Sequence, residues 1–134
     1  MTSSLRGYEQ LLVWQRGIVF AREVYRATSR FPSDERFGLV SQLRRAAVSI
    51  PSNIAEGHAR HSTREYLRFL SIAQGSLAEV ATQLHIAKEL GYGTDELAPL
   101  FAEAEELKRM LNAIRRTLQE RQRNSRLSVL APRP

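Results

Sequence analysis

Residues 66–87 read Tyr-Leu-Arg-Phe-Leu-Ser-Ile-Ala-Gln-Gly-Ser-Leu-Ala-Glu-Val-Ala-Thr-Gln-Leu-His-Ile-Ala. Within them Tyr66, Leu70, Ala73, Leu77, Val80, Leu84 and Ala87 recur at alternating spacings of three and four. That repeat places all seven side chains on one seam of an α-helix, whereas a strand would need strict alternation. Working outward, the same spacing appears three more times. It holds for Leu11, Trp14, Ile18, Ala21 and Tyr25, and for Val40, Leu43, Ala47, Ile50 and Ile54. It holds again for Leu97, Leu100, Ala104, Leu107, Leu111, Ile114 and Leu118. Four such seams close on one another as a bundle, with Ala21, Ala47, Ala73 and Ala104 permitting close approach.

The residues between the seams set the boundaries. Phe31-Pro32-Ser33 ends the first helix and offers Ser33 as the N-cap of the second. Ser62-Thr63-Arg64-Glu65 fits a capping box at the start of the third. Gly57 and Gly91 can take left-handed conformations at helix ends, and Thr94 or Asp95 can cap the fourth helix. The spacing predicts helices over about residues 9–30, 34–57, 63–90 and 95–122. Short connections between long helices imply antiparallel neighbours, an all-α, left-handed, up-down-up-down four-helix bundle. Pro51 falls inside the second helix, where it removes a hydrogen bond and clashes with the Ala47 carbonyl, so a kink is expected. Two shorter helices broken near Ser49 are the alternative. Residues 1–122 thus form one domain, and residues 123–134 a basic tail expected to be disordered.

The chain has 134 residues and no cysteine, which excludes disulfides and thiolate–metal sites. Its N-terminus, Met1 to Gly7, lacks the apolar stretch of a signal peptide, and no apolar run approaches the ~20 residues of a membrane span. A cytoplasmic protein is expected. The formal charge of +6 is uneven: residues 108–134 carry +7, leaving −1 for all that precedes them. Arginine supplies all but two of the twenty cations, which suits phosphate and carboxylate recognition, although gene base composition accounts for it equally. Such a basic end reads as an arm for a polyanion or as a solubilising tail.

Two further features concern partners. Val13, Phe20, Val24 and Ala27 form a second apolar stripe on helix one, joined by Val48, Ala55, Phe69 and Ile72 on the next two. Part of this widens the buried stripes, and the rest is expected to be covered in a homo-oligomer. Arg44 and Arg45 on helix two, with Arg60, Arg64 and Arg68 around the following turn, make a second basic cluster besides Arg115, Arg116, Arg121, Arg123 and Arg126. These arginines are the candidate nucleic-acid-binding residues, with a charged solvated face as the alternative. No aromatic is interleaved with them as a stacking platform needs, so any binding should follow backbone charge and tolerate sequence.

Catalytic and metal sites are not expected. Glu56 and His58 are two apart and point away from each other on a helix, and His61 lies past Gly57 in the turn. The Glu-x-x-His pairs of di-iron bundles are absent, as are a nucleophile elbow and a phosphate loop. No cofactor and no small-molecule substrate are implied. Asn53 and Glu56 read as structural, Asn53 patching the proline kink and Glu56 pairing with Arg44 or Arg60.

The segment from Gln42 to Gly57, QLRRAAVSIPSNIAEG, resembles the signature of a bacterial family, the four-helix-bundle proteins first noticed in intervening sequences of 23S rRNA genes. The resemblance continues through Glu65–Glu79, reaches Ala87–Tyr92, and includes Leu12-Val13-Trp14-Gln15, covering about residues 8–118. Its motif includes Pro51, Asn53, Glu56 and Gly57. It implies an antiparallel helical bundle assembled as a homopentamer, most members having no assigned function. A distant relative, the accessory protein of diversity-generating retroelements, is similar in being a basic pentamer that binds nucleic acid and a reverse transcriptase. The chain resembles the intervening-sequence branch more, so that role transfers poorly.

Overall fold

In the computed structural model, which describes residues 7–130, four α-helices follow one another with no strand among the described residues. They are α1 (Leu12–Thr28), α2 (Leu39–Ala59), α3 (Thr63–Glu89) and α4 (Thr94–Leu130). Short 3-10 turns precede α1 at Gly7–Gln10 and α2 at Ser33–Glu35. Each helix packs against the next, and α4 packs back on α1, so the core is enclosed by a ring of four. Pairs across the seams run in opposite senses: Gly17 meets Pro51 while Thr28 meets Arg44, and Ser49 meets Ser76 while Gln42 meets Gln83. Likewise His85 meets Phe101 while Gln74 meets Asn112, and Arg16 meets Glu103 while Arg30 meets Glu96.

The predicted seams of α2, α3 and α4 are the core. Leu43, Ala47, Ile50, Ile54, Leu70, Ala73, Val80, Leu84, Leu107 and Leu111 are fully buried. On α1 the register differs from the expectation. Val13, Phe20 and Val24 of the supposed surplus stripe are at most 2% exposed, while Ile18 and Tyr25 of the supposed seam are 45% and 44% exposed. Gly17 explains the choice. It is buried against Pro51, and a methyl group added to it would sit 3.4 Å from Pro51 Cβ, so helix α2 approaches α1 on the Val13–Gly17–Phe20–Val24 face. Phe69 is also buried in this chain alone, whereas Val48 and Ile72 remain exposed.

Several boundaries shift for local reasons. Helix α1 ends at Thr28, whose hydroxyl is turned back onto Val24 O at 2.7 Å. Ser33 opens a 3-10 turn instead of capping α2. The α2 cap comes from Glu35, whose carboxylate accepts the Leu39 N–H at 3.2 Å, so α2 begins five residues later than the predicted 34. The capping role of Ser62 is as expected, its hydroxyl accepting the Glu65 N–H at 3.2 Å. Gly91 takes the left-handed conformation (φ +81°), but Gly57 does not, since α2 runs on to Ala59 and the positive φ falls on His61 (+56°).

Gly57 serves packing instead. A Cβ there would lie 2.6 Å from Phe69 Cβ, so only glycine lets α2 and α3 touch at this level. Helix α2 is also continuous through Pro51, which removes the two-helix alternative. Asn53 donates to Ser49 O and to Ser49 Oγ, both at 2.8 Å, and Ser49 Oγ pairs with Ser76 Oγ of α3 at 2.8 Å. Its side chain thus belongs to a polar link between α2 and α3. It is not seated on the Ala47 carbonyl.

The largest departure is at the C-terminus. Helix α4 continues to Leu130, so residues 123–130 of the expected disordered tail are helical. Leu118 is the last buried residue among those described, and beyond it the hydrophobic period stops because there is no core to face. Extending an existing helix adds one hydrogen bond per residue without a nucleation cost, so helix persists where the seam has ended. Residues 131–134 of the expected tail, and residues 1–6 at the other end of the chain, lie outside the described residues.

Candidate nucleic-acid interface

Twelve cations precede Lys108 in the sequence, and thirteen carboxylates with them. Much of that charge is spent internally. Arg16 of α1 grips Glu103 of α4 through two hydrogen bonds of 2.9 and 2.7 Å, with Glu106 at 3.7 Å. Arg22 and Arg26 share Glu23, and Arg30 reaches Glu96 at 3.1 Å. Arg109 pairs with Glu106 one turn back. The Arg109 hydrogen bond, followed by the charges of Arg109 and Arg16, holds the Glu106 carboxyl below the usual carboxylate range. The flank of α4 that faces α1 is therefore electrostatically closed.

The cluster Arg44, Arg45, Arg60, Arg64 and Arg68 does not assemble as one stripe. Arg44 turns into the α1–α2 seam, where its Nε donates to Thr28 Oγ1 at 2.9 Å and its guanidinium lies 4.5 Å from the Tyr25 ring centre. That leaves Glu56 to Arg60, at 3.2 Å. Arg68 pairs with Glu65 at 3.6 Å. Arg60 and Arg68 lie over the Phe69 ring, 5.2 and 4.7 Å from its centre. The positive φ at His61 and extended Ser62 interrupt the helix between them, so Arg60, Arg64 and Arg68 do not share an unbroken helical face. Arg45 and Arg64 are exposed and, among the described residues, in no ion pair.

The second half of α4 is different. Lys108, Arg116, Arg121, Arg123 and Arg126 are exposed, and none forms an ion pair among the described residues. Arg115 is half-buried and donates to Gln74 of α3, which also donates to Asn112. At 3.6 residues per turn, Lys108, Arg115, Arg116, Arg123 and Arg126 fall within an arc of about 100°, with Arg121 on the opposite side. The stripe is about 27 Å long from Lys108 to Arg126, at 1.5 Å per residue. Its flank is the one that faces α3, as the Arg115–Gln74 contact shows. Because α3 runs counter to α4, Arg64 of its first turn lies at the same end of the bundle as Arg123 and Arg126.

The groove between α3 and α4 has a volume of about 840 Å³ and is lined by alanines together with His85, Phe101, Lys88 and Lys108. His85 lies against Phe101 with ring centres 4.6 Å apart, an aromatic pair that the sequence could not reveal because its members sit on different helices. Among the described residues no group of three His, Asp or Glu side chains is placed to hold a metal ion, and no helix is long and apolar enough to cross a membrane.

Comparison with known proteins gives three results. The family model of the 23S rRNA-intervening sequence protein matches residues 9–113. A crystal structure from Bacteroides thetaiotaomicron, described as a protein of unknown function from the S23 ribosomal protein family, is similar in fold. Its TM-score is 0.70 at 20% identity, over 78% of this chain and 98% of that one. No curated protein matches. The unpaired arginines from Arg116 to Arg126 lie beyond the matched region.

Proposed function

The chain belongs to the 23S rRNA-intervening sequence protein family, and from that premise we propose that it is a non-enzymatic, oligomeric helical-bundle protein that binds nucleic acid with little regard to sequence. The observation that carries this reading is the run of exposed, unpaired arginines at the end of α4. Apart from Arg45 and Arg64, most arginines of the bundle are matched by carboxylates or lodged against aromatic rings, whereas these face solvent. Exposed ion pairs add only about 0–1 kcal/mol to stability, so cations past the last core residue are free to serve a polyanion. Phosphate contacts made by such a surface position the ligand without reading bases. In a homopentamer, which the family resemblance implies, five copies of the stripe would act together, and modest single-site affinities would multiply into avidity.

The test is anisotropy titration of unrelated duplex DNA, single-stranded DNA and RNA with the full chain and with one lacking residues 122–134. The reading expects all three ligands to bind at low salt and all to weaken on truncation. Failure of the full chain to bind any of them would overturn it. A second reading, an assembly or protein-interaction scaffold with no physiological nucleic acid, is favoured by one observation. The α1–α2 face exposes Ile18 (45%), Tyr25 (44%) and Val48 (42%).

A further inference from the structure

Helix α4 does more than carry charge: it fixes where each charge points. We infer that its C-terminal arm engages duplex DNA as a preformed helix, residues 119–130 entering the major groove with Arg123 and Arg126 on the phosphates that line it, while Arg116 and Lys108 meet phosphates further along the same stripe. This rests on the nucleic-acid reading above and narrows it to one ligand and one geometry.

Three observations support it. First, the arm is free. Of residues 119–129, Gln122 alone is even partly buried. Its width, about 10–12 Å with side chains, matches the roughly 12 Å major groove of B-form DNA. The deep, narrow major groove of A-form RNA does not admit it.

Second, the charge is one-sided. Arg116, Arg123 and Arg126 share a flank with Lys108, separated along the axis by steps of about 12, 10 and 5 Å. Glu120, the sole acid from Lys108 onward, falls outside that arc, and Arg121 points the other way. A disordered polycation would show no such sidedness.

Third, residues 108–130 contain no Phe, Tyr or Trp. Single strands are held by bases stacked on aromatic rings, and the arm offers none. It offers guanidinium forks, which suit phosphate oxygens.

The experiment compares substitutions that change charge equally but differ in position, and one that changes shape but not charge. Arg123→Ala and Arg126→Ala each remove a groove-facing cation, while Arg121→Ala removes one from the far side. Asn124→Pro retains every cation and breaks the arm. All four lie past Leu118, so the bundle should remain folded, with circular dichroism showing loss of helix confined to the arm in Asn124→Pro. Affinity is measured for a 20-base-pair DNA duplex, the matching RNA duplex and the single DNA strand, at about 0.1 M salt. One lost phosphate contact weakens duplex binding about eightfold under these conditions. The inference expects that loss for Arg123→Ala and Arg126→Ala, little change for Arg121→Ala, a loss for Asn124→Pro at least as large as either single loss, and the DNA duplex bound tightest. Equal losses at 121, 123 and 126, or wild-type binding by Asn124→Pro, would overturn the helical arm and leave general polyanion binding standing. Equal affinity for RNA duplex or single strand would overturn the groove assignment alone. No binding by the intact chain would remove both readings.

Discussion

Replacing Gly57 and Gly75 by alanine, one at a time, should move stability in opposite directions. Both glycines sit inside helices, Gly57 in α2 and Gly75 in α3, at negative φ. In an open position the change gains about 1 kcal/mol of helix propensity. Gly75 is such a position, since a Cβ there meets nothing within 4 Å. At Gly57 the new carbon would stand 2.6 Å from Phe69 Cβ and 3.2 Å from Tyr66 Cδ1. A Cβ is the least movable atom of a side chain, so α2 and α3 must separate. Overpacking of this kind costs about 1–3 kcal/mol. The propensity gain is common to both substitutions and cancels in their difference, which isolates the overpacking cost. Urea denaturation at one protein concentration gives that difference, with Gly57→Ala the less stable by about 1–3 kcal/mol. Fixing the concentration matters because assembly would shift the apparent stability. Two equal gains would show that the close approach of α2 to α3 at Gly57 is not required.

Other outcomes follow from the same contacts. Light scattering after gel filtration should return the mass of a closed homo-oligomer, five copies by the family resemblance; a monomer mass would remove both the covered α1–α2 face and the pooled charge. Tyr92 titrates above the usual tyrosine range because its hydroxyl donates to Glu35 Oε2 at 3.0 Å, and burial raises Tyr66 as well. Both protons are held more tightly when folded, so their contribution is complete below the ordinary value of about 10 and is lost as pH rises through the raised values. Denaturation profiles taken upward from about pH 9 should fall more steeply for the native chain than for Tyr66→Phe/Tyr92→Phe; superimposable profiles would refute the assignment.

Most of the core is legible from spacing because Leu70, Leu77, Val80 and Leu84 leave one way to place α3. Helix α1 is not, because two seams fit its sequence equally well. The deciding residue, Gly17, carries no hydrophobic signal, and its role appears only when Pro51 is placed against it. The start of α2 misleads for a similar reason: Ser33 looks like a cap, yet Glu35 reaches forward to Leu39 and displaces it. Gly57 resembles a helix terminator and is a contact point. Among the candidate binding residues, spacing groups Arg44 with Arg45, but the partners that draw Arg44 inward, Tyr25 and Thr28, belong to another helix. The helical arm is invisible to hydrophobic periodicity, since it has no core to face. Its one-sided charge becomes visible only once the helix is known to continue.

The central claim, that the arginines at the end of α4 contact phosphates, is tested most directly by salt dependence. Affinity for an arbitrary DNA duplex is measured over a range of salt for the native chain and for Arg116→Ala/Arg123→Ala/Arg126→Ala. Each phosphate neutralised contributes about 0.9 to the slope of log affinity against log salt. Loss of three contacts per protomer should flatten the slope by about 2.7 for each arm engaged. An unchanged slope with affinity intact would show that these arginines do not touch the ligand.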